Sequence, residues 1–291
     1  MANTIVAVDS MTKLPDEIIG RVLVSGSHGG VYPAYLAAKS QVRGIVLNDA
    51  GGGKDDAGFA SLAYLETLGI PAATCSHVSA CIGDGGDMLR RGKISRVNTV
   101  AAKLGCLVHQ GVGQAAELMR AAQWFEIKAP VYEESRVCLS RGDGGPIVWG
   151  IDSASLVRPE DAGQIIVTGS HGGLLGGDIA AAIRVPAAAC AFNDAGVGAN
   201  GVGITRLAAL DTRGIVAVTV DCMSARIGDA RSMWDSGKIS YVNEKAKACG
   251  INPGQTLQAF AAVMRQVIRN ARQARKRFKE KYVWLHIRQP M

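Results

Sequence analysis

Two copies of Gly-Ser-His-Gly-Gly, at Gly26–Gly30 and Gly169–Gly173, set a hydroxyl beside an imidazole twice in one chain. The serine can donate to a carboxylate or attack a carbonyl, and the histidine can exchange protons near neutral pH. The glycines that follow let backbone approach a ligand closely and aim free N–H groups at an anion or a developing oxyanion. Ser27, His28, Ser170 and His171 are therefore the leading catalytic candidates, with Gly29, Gly30, Gly172 and Gly173 as the substrate-binding backbone. Read alone, one copy is a tight turn whose serine caps the next helix. A cap has no use for histidine, and its presence in both copies favours chemistry.

The next apolar run of each copy ends in Asn-Asp-Ala-Gly. It offers Asp49 and Asp194 as acids that orient a histidine in a triad-like relay, and Asn48 and Asn193 as substrate ligands. Asn and Asp before Gly are also ordinary turn formers. A third pair of run ends supplies Ser79 and Ser224 as further substrate ligands; Asp84 and Asp229, which follow, read best as helix caps or turn residues. Asp9-Ser10 and Asp152-Ser153 close the first run of each copy and reach the same rim as second-rank candidates.

The copies differ where one asymmetric substrate demands it. Cys75, His77 and Cys81 stand in the first copy against Val220, Cys222 and Arg226 in the second. Cys75 with His77 is a candidate thiol–imidazole pair, although a free cysteine is often only a small buried residue. Arg226 is a candidate carboxylate anchor, because a guanidinium fork matches a carboxylate. Lys54, Asp55 and Asp56 beside the glycines at 51–53 suggest a charged lid over the sheet edge.

No cofactor is predicted, since neither copy carries GxGxxG after its strand. A metal is left open: His28, His171, Asp49 and Asp194 can converge, yet no HExxH-type spacing assigns one.

These residues need a scaffold that repeats. From LAYLETLGIPA onward the second copy follows the first without a gap at an offset of 145, through SACIGD against SARIGD and GKISRVN against GKISYVN. Each copy alternates β-branched runs with alanine-rich segments, predicting βαβ units and largely parallel sheets: an α/β fold, tandem-duplicated and pseudo-twofold symmetric. Ala-rich helices are expected after each GSHGG, at VYPAYLAAKS and GGDIAAAIR, and another beginning near each GKIS.

The expected boundaries are 1–131 for the first repeat, 132–145 for a linker or hairpin with a turn at RGDGG, and 146–291 for the second repeat with a basic C-terminal helix. Two arrangements fit. The copies either build one continuous sheet with the GSHGG strands side by side at a switch point, or form two lobes facing across a cleft.

At 291 residues, 48% hydrophobic and 20% charged, the chain has ample core and is not of disordered composition. The net charge of +7 is local: Arg265 to Met291 carries six Arg and three Lys against Glu280, net +8, which leaves −1 elsewhere. The basic end reads as a solvated helix face or subunit contact; nucleic acid is not an expected partner, because no groove-reading module accompanies it. Seven cysteines without CxxC, no long apolar run and no leader-like start give the expectation of a cytoplasmic protein with reduced thiols and no membrane partner.

The functional expectation is a hydrolase of an amide, cyclic amide or ester of a small polar or anionic metabolite, with its site between the repeats. The alternatives are a lyase or isomerase using the same groups and a non-catalytic anion- or nucleotide-binding protein. A homo-oligomer is an open expectation.

Overall fold

Runs such as VLV and IIV are apolar on both sides of the strand, the pattern of a parallel strand covered on two faces. In the computed structural model, which describes residues 4–142 and 144–287, with side chains to 278, these runs become the centres of two sheets. The first contains β1 (Ile5–Val8), β2 (Val22–His28), β3 (Gly44–Asn48), β4 (Ala72–Cys75) and β5 (Ile94–Val97), in that spatial order. The second contains β6 (Arg136–Ser140), β7 (Val148–Ile151), β8 (Ile165–His171), β9 (Ala189–Asn193), β10 (Val216–Val220) and β11 (Ile239–Val242), also laid down sequentially. Pairing is parallel from β1 to β4 and from β7 to β10, with antiparallel strands β5, β6 and β11 at edges. The fold is α/β and duplicated, as two lobes; the continuous-sheet arrangement does not form.

Alternation along each central strand divides its residues between two cores. Leu23 of β2 packs with α1 (Val31–Lys39) and α2 (Ala60–Thr67), whereas Val22 and Val24 pack with α3 (Gly85–Arg91), α4 (Thr99–Lys103) and α5 (Val112–Met119). In the second lobe Ile166 faces α6 (Arg206–Thr212), while Ile165 and Val167 face α7 (Ala230–Ser236), α8 (Glu244–Ala248) and the start of α9 (Leu257–Ile287).

Three expectations are corrected. GGDIAAAIR forms no α-helix, only a 3₁₀ turn at Ala180–Ala182, because Gly176 and Gly177 take φ of 56° and 76° and break the helical path. GKIS opens the edge strands β5 and β11, with helices on both sides of them, α3 and α7 before and the short α4 and α8 after. The glycines at 51–53 form no lid over a sheet edge; they are wedged between the lobes.

The stretch after Val131 enters the second sheet as β6, antiparallel to β7, and accounts for its extra strand. The RGDGG turn includes Asp143, which lies outside the described residues, as do the side chains of the basic stretch beyond Phe278.

The lobes interlock about a pseudo-twofold axis. The Lys54 N–H donates to the Cys222 carbonyl at 2.8 Å, and the equivalent Ala199 N–H donates to the His77 carbonyl at 2.7 Å. Ala50, Ala57 and Ile82 meet their counterparts Ala195, Val202 and Ile227 in one small apolar core. Among the described residues no helix is long and apolar enough to cross a membrane.

Candidate functional site

The strand ends β2 and β8 carry Ser27-His28 and Ser170-His171 to one cavity of about 110 Å³ between the lobes. Neither serine caps a helix: α1 begins at Gly30 without a side-chain cap, and the second lobe has no helix there. Instead Ser27 Oγ accepts the Met11 N–H at 3.0 Å and Ser170 Oγ accepts the Ala154 N–H at 2.9 Å. With a lone pair used by backbone, each hydroxyl keeps its proton to donate.

The histidines are matched in the same way. His28 Nδ1 accepts the Gly30 N–H and His171 Nδ1 accepts the Gly173 N–H, each at 3.2 Å. A Cβ at Gly30 would lie 2.7 Å from His28 Nδ1, so glycine is what permits the contact. An accepting Nδ1 leaves the ring proton on Nε2, and this tautomer follows from the amide donor. Burial lowers His28 to about 4. Burial, then the charge of Arg206 and the nearness of His28, lowers His171 well below the usual imidazole value. Both rings are neutral Nε2–H donors at neutral pH, not poised general bases.

Two further residues complete the cavity, and neither was singled out in the sequence. Arg206 at the start of α6 is 3% exposed; its Nε donates to the Gly173 carbonyl at 3.0 Å and its Nη1 to that of Ala182. Burial lowers it to about 10, so it remains a cation.

Glu134, on the crossing segment before β6, lies at the junction with a second cavity of about 210 Å³; His28, Tyr32 and Glu134 line both. Burial, then the charge of Asp152, pushes the Glu134 carboxyl up to about 8, against a hydrogen bond from Tyr32. Its Oε2 is buried without a protein partner among the described residues. Glu134 has no counterpart in the second copy, because that chain continues as α9 instead of crossing back.

The other candidates gather elsewhere. Asp49 Oδ1 lies 2.8 Å from His77 Nδ1 and also accepts the His77 and Gly51 N–H groups, so no Ser27-His28-Asp49 relay forms. Burial raises the Asp49 carboxyl, but the His77 hydrogen bonds outweigh it and its pKa is lowered. Asp194 accepts the Cys222 and Gly196 N–H groups, and burial raises it.

Asn48 and Asn193, fully buried, each accept the N–H two residues on and hold Ala50 and Ala195 at φ of 49° and 51°. Ser79 and Ser224 tie their loops to Lys93 and Lys238. Asp84 and Asp229 cap α3 and α7, while Asp9 and Asp152 accept from the first residues of those helices.

Cys75 sits in the core against α3 to α5, and burial pushes its thiol up to about 11, unsuited to a nucleophile. Arg226 donates to Asp55 across the lobes at 2.9 Å and to Asp229 at 2.9 Å, so its fork is already occupied. Asp194, Asp221 and Cys222 offer ligand atoms within 4.8 Å of one another. This group lies beside the Gly51–Gly196 contact, apart from the paired Ser-His cavity.

Compared with known proteins, the chain matches no family model, no curated protein and no solved structure.

Proposed function

We propose that the chain is a small-molecule enzyme that hydrolyses an amide, cyclic amide or ester of a small anionic metabolite between its two lobes. The observation that carries this reading is the convergence of Ser27, Ser170, His28 and His171 on one cavity as hydrogen-bond donors. Four preorganised neutral donors suit a carbonyl whose oxygen becomes negative as a nucleophile adds, and such donors stabilise that charge without reorganising. The acyl part occupies the first cavity and the leaving group extends past Glu134 into the second. Glu134, protonated near neutral pH, delivers a proton to the departing nitrogen or oxygen, a water supplies the attacking oxygen, and the proton that water loses returns to the Glu134 carboxylate.

A second reading has its own observation: among the described residues no base is hydrogen-bonded to either serine hydroxyl. A donor set facing a carboxyl of raised pKa also fits proton transfer beside a carbonyl, the chemistry of an isomerase or lyase.

One experiment separates them. The protein is incubated with a panel of small amides, cyclic amides, esters and keto acids in ¹⁸O-labelled water, and in parallel in D₂O. Hydrolysis places ¹⁸O in a new carboxylate; isomerisation or elimination exchanges a carbon-bound hydrogen for deuterium without that label. Turnover insensitive to Ser27→Ala with Ser170→Ala would sink both.

A further inference from the structure

Arg206 poses a problem of charge. A guanidinium buried without a counter-ion is costly, and native proteins pair such a group or leave it facing a charged ligand. The ion pairs among the described residues do not include it. Its Nε and Nη1 are used by the carbonyls of Gly173 and Ala182, and its face lies over the Phe192 ring, 5.0 Å from the centroid. Nη2 has no protein acceptor among the described residues, and the side chain lines the paired Ser-His cavity.

The equivalent position in the first lobe is Ser61, whose N–H binds the Gly29 carbonyl as that of Arg206 binds Gly172, both at 2.8 Å. Ser61 Oγ is buried without a partner among the described residues. The backbone is thus duplicated while the charge is not, and the charge gives a pseudo-symmetric cavity a direction.

We propose that this cavity is a carboxylate site in which Arg206 Nη2 pairs with the anion of the substrate, Ser170 or His171 donates to its second oxygen, and the reacting carbonyl lies toward Glu134. The proposal deepens the catalytic reading above and rests on it for the cavity being a substrate site.

The volume sets the size. An apolar cavity of about 150 Å³ holds benzene, with six non-hydrogen atoms, so about 110 Å³ admits an acid of roughly four or five. The charge sets the class: the buried Arg206 balances one negative charge, whereas a phosphate dianion would have to draw its second counter-charge from the exposed Lys13 or Arg184. Lys13 and Arg184 line the cavity as exposed residues, cations that draw such an anion in.

The test uses the full chain at neutral pH and needs no turnover. Thermal shift and calorimetric titration are run with acetate and propionate, with acetamide and propionamide as neutral matches, and with inorganic phosphate. The expected result is that carboxylates bind at least tenfold more tightly than their amides and than phosphate. Arg206→Met removes that preference, and Arg206→Lys restores part of it. Equal binding of acid and amide, preference for phosphate, no binding of any probe, or a folded Arg206→Met chain that still prefers acids overturns the proposal.

Should Arg206→Met fail to fold, the acid-against-amide comparison on the natural chain still decides. Acid binding in a chain that turns over no panel compound defeats the catalytic reading and leaves this site standing. Hydrolysis of neutral amides with no preference for a carboxylate does the opposite.

Discussion

Gly51 and Gly196 meet across the pseudo-twofold axis so closely that a Cβ on either would lie 2.9 Å from the other's Cα. Both also hold positive φ, 81° and 71°. Alanine at either position therefore faces a backbone clash with the other lobe in addition to the left-handed penalty. Gly214, with φ of 69° and nothing near its missing Cβ, isolates the second effect. Gly214→Ala is expected to cost about 1–2 kcal/mol. Gly51→Ala and Gly196→Ala should each cost more, by about 1–3 kcal/mol of overpacking, in chemical denaturation. Equal costs at the three positions would show that the lobe contact yields without strain.

Glu134 carries a pH signature. Its folded pKa of about 8 stands above the ordinary carboxylate value, so between roughly pH 4.5 and pH 8 the folded chain keeps a proton that the unfolded chain has released. Its contribution to stability is complete below that window and falls as pH rises through it. Glu134→Gln removes the slope, so the variant should gain in melting temperature relative to the natural chain between pH 5 and pH 9. In catalysis the protonated form is the acid, and kcat should decline above about pH 8. A kcat that instead rises through pH 8 would make Glu134 a base and favour the isomerase or lyase reading.

The duplication made the fold and the position of the cavity legible. A motif seen twice at the same place in a βαβ rhythm names its own strand ends, and two interlocked copies bring those ends together. What occurs once was hidden. Glu134 lies in a crossing segment with nothing to align against, and its raised pKa comes from burial in the fold and then from the charge of Asp152, against a hydrogen bond from Tyr32. Arg206 did leave a signal: an arginine in the apolar stretch ITRLAAL where the first copy has Ser61. Asp49 follows a strand that pairs with both β2 and β4, and its carboxylate turns to the loop after β4, where the His77 N–H and ring hold it, a choice that strand order alone does not reveal.

The histidine tautomers give a substitution test that distinguishes donor from base. Glutamine places an N–H near the position of the imidazole Nε2, so His28→Gln and His171→Gln preserve a donor and remove the titrating ring. Each is expected to retain turnover within about tenfold, whereas His→Phe at either site loses about 10²–10³, the range for deleting an oxyanion donor. A general base would lose as much with glutamine as with phenylalanine.

The same substitutions flatten the acid limb of stability. His28 titrates near 4 in the folded chain and near its ordinary value when unfolded, so stability falls as pH drops from about 6.5 toward 4. That loss should shrink in His28→Gln when thermal unfolding is followed over this range.

Arg206 and Arg226, two cavity-lining arginines of the second lobe, should separate cleanly. Arg226 is 44% exposed and its partner Asp55 58%, so the ion pair across the lobes is solvent-screened. Its loss in Arg226→Ala is expected to lower stability by at most about 1 kcal/mol, and less at high salt. Arg206 is buried, tied to two carbonyls and free of any carboxylate among the described residues, so Arg206→Met strips two hydrogen bonds as well as the charge. Each bond left unmade at a buried carbonyl costs about 1–3 kcal/mol, which places the stability loss severalfold above that of Arg226→Ala. Melting curves of the two variants with and without acetate measure both effects together. Arg226→Ala should keep the acetate-induced rise, and Arg206→Met should lose it. The reverse pattern would return the anchoring role to Arg226 and require its pairs with Asp55 and Asp229 to open when the ligand binds.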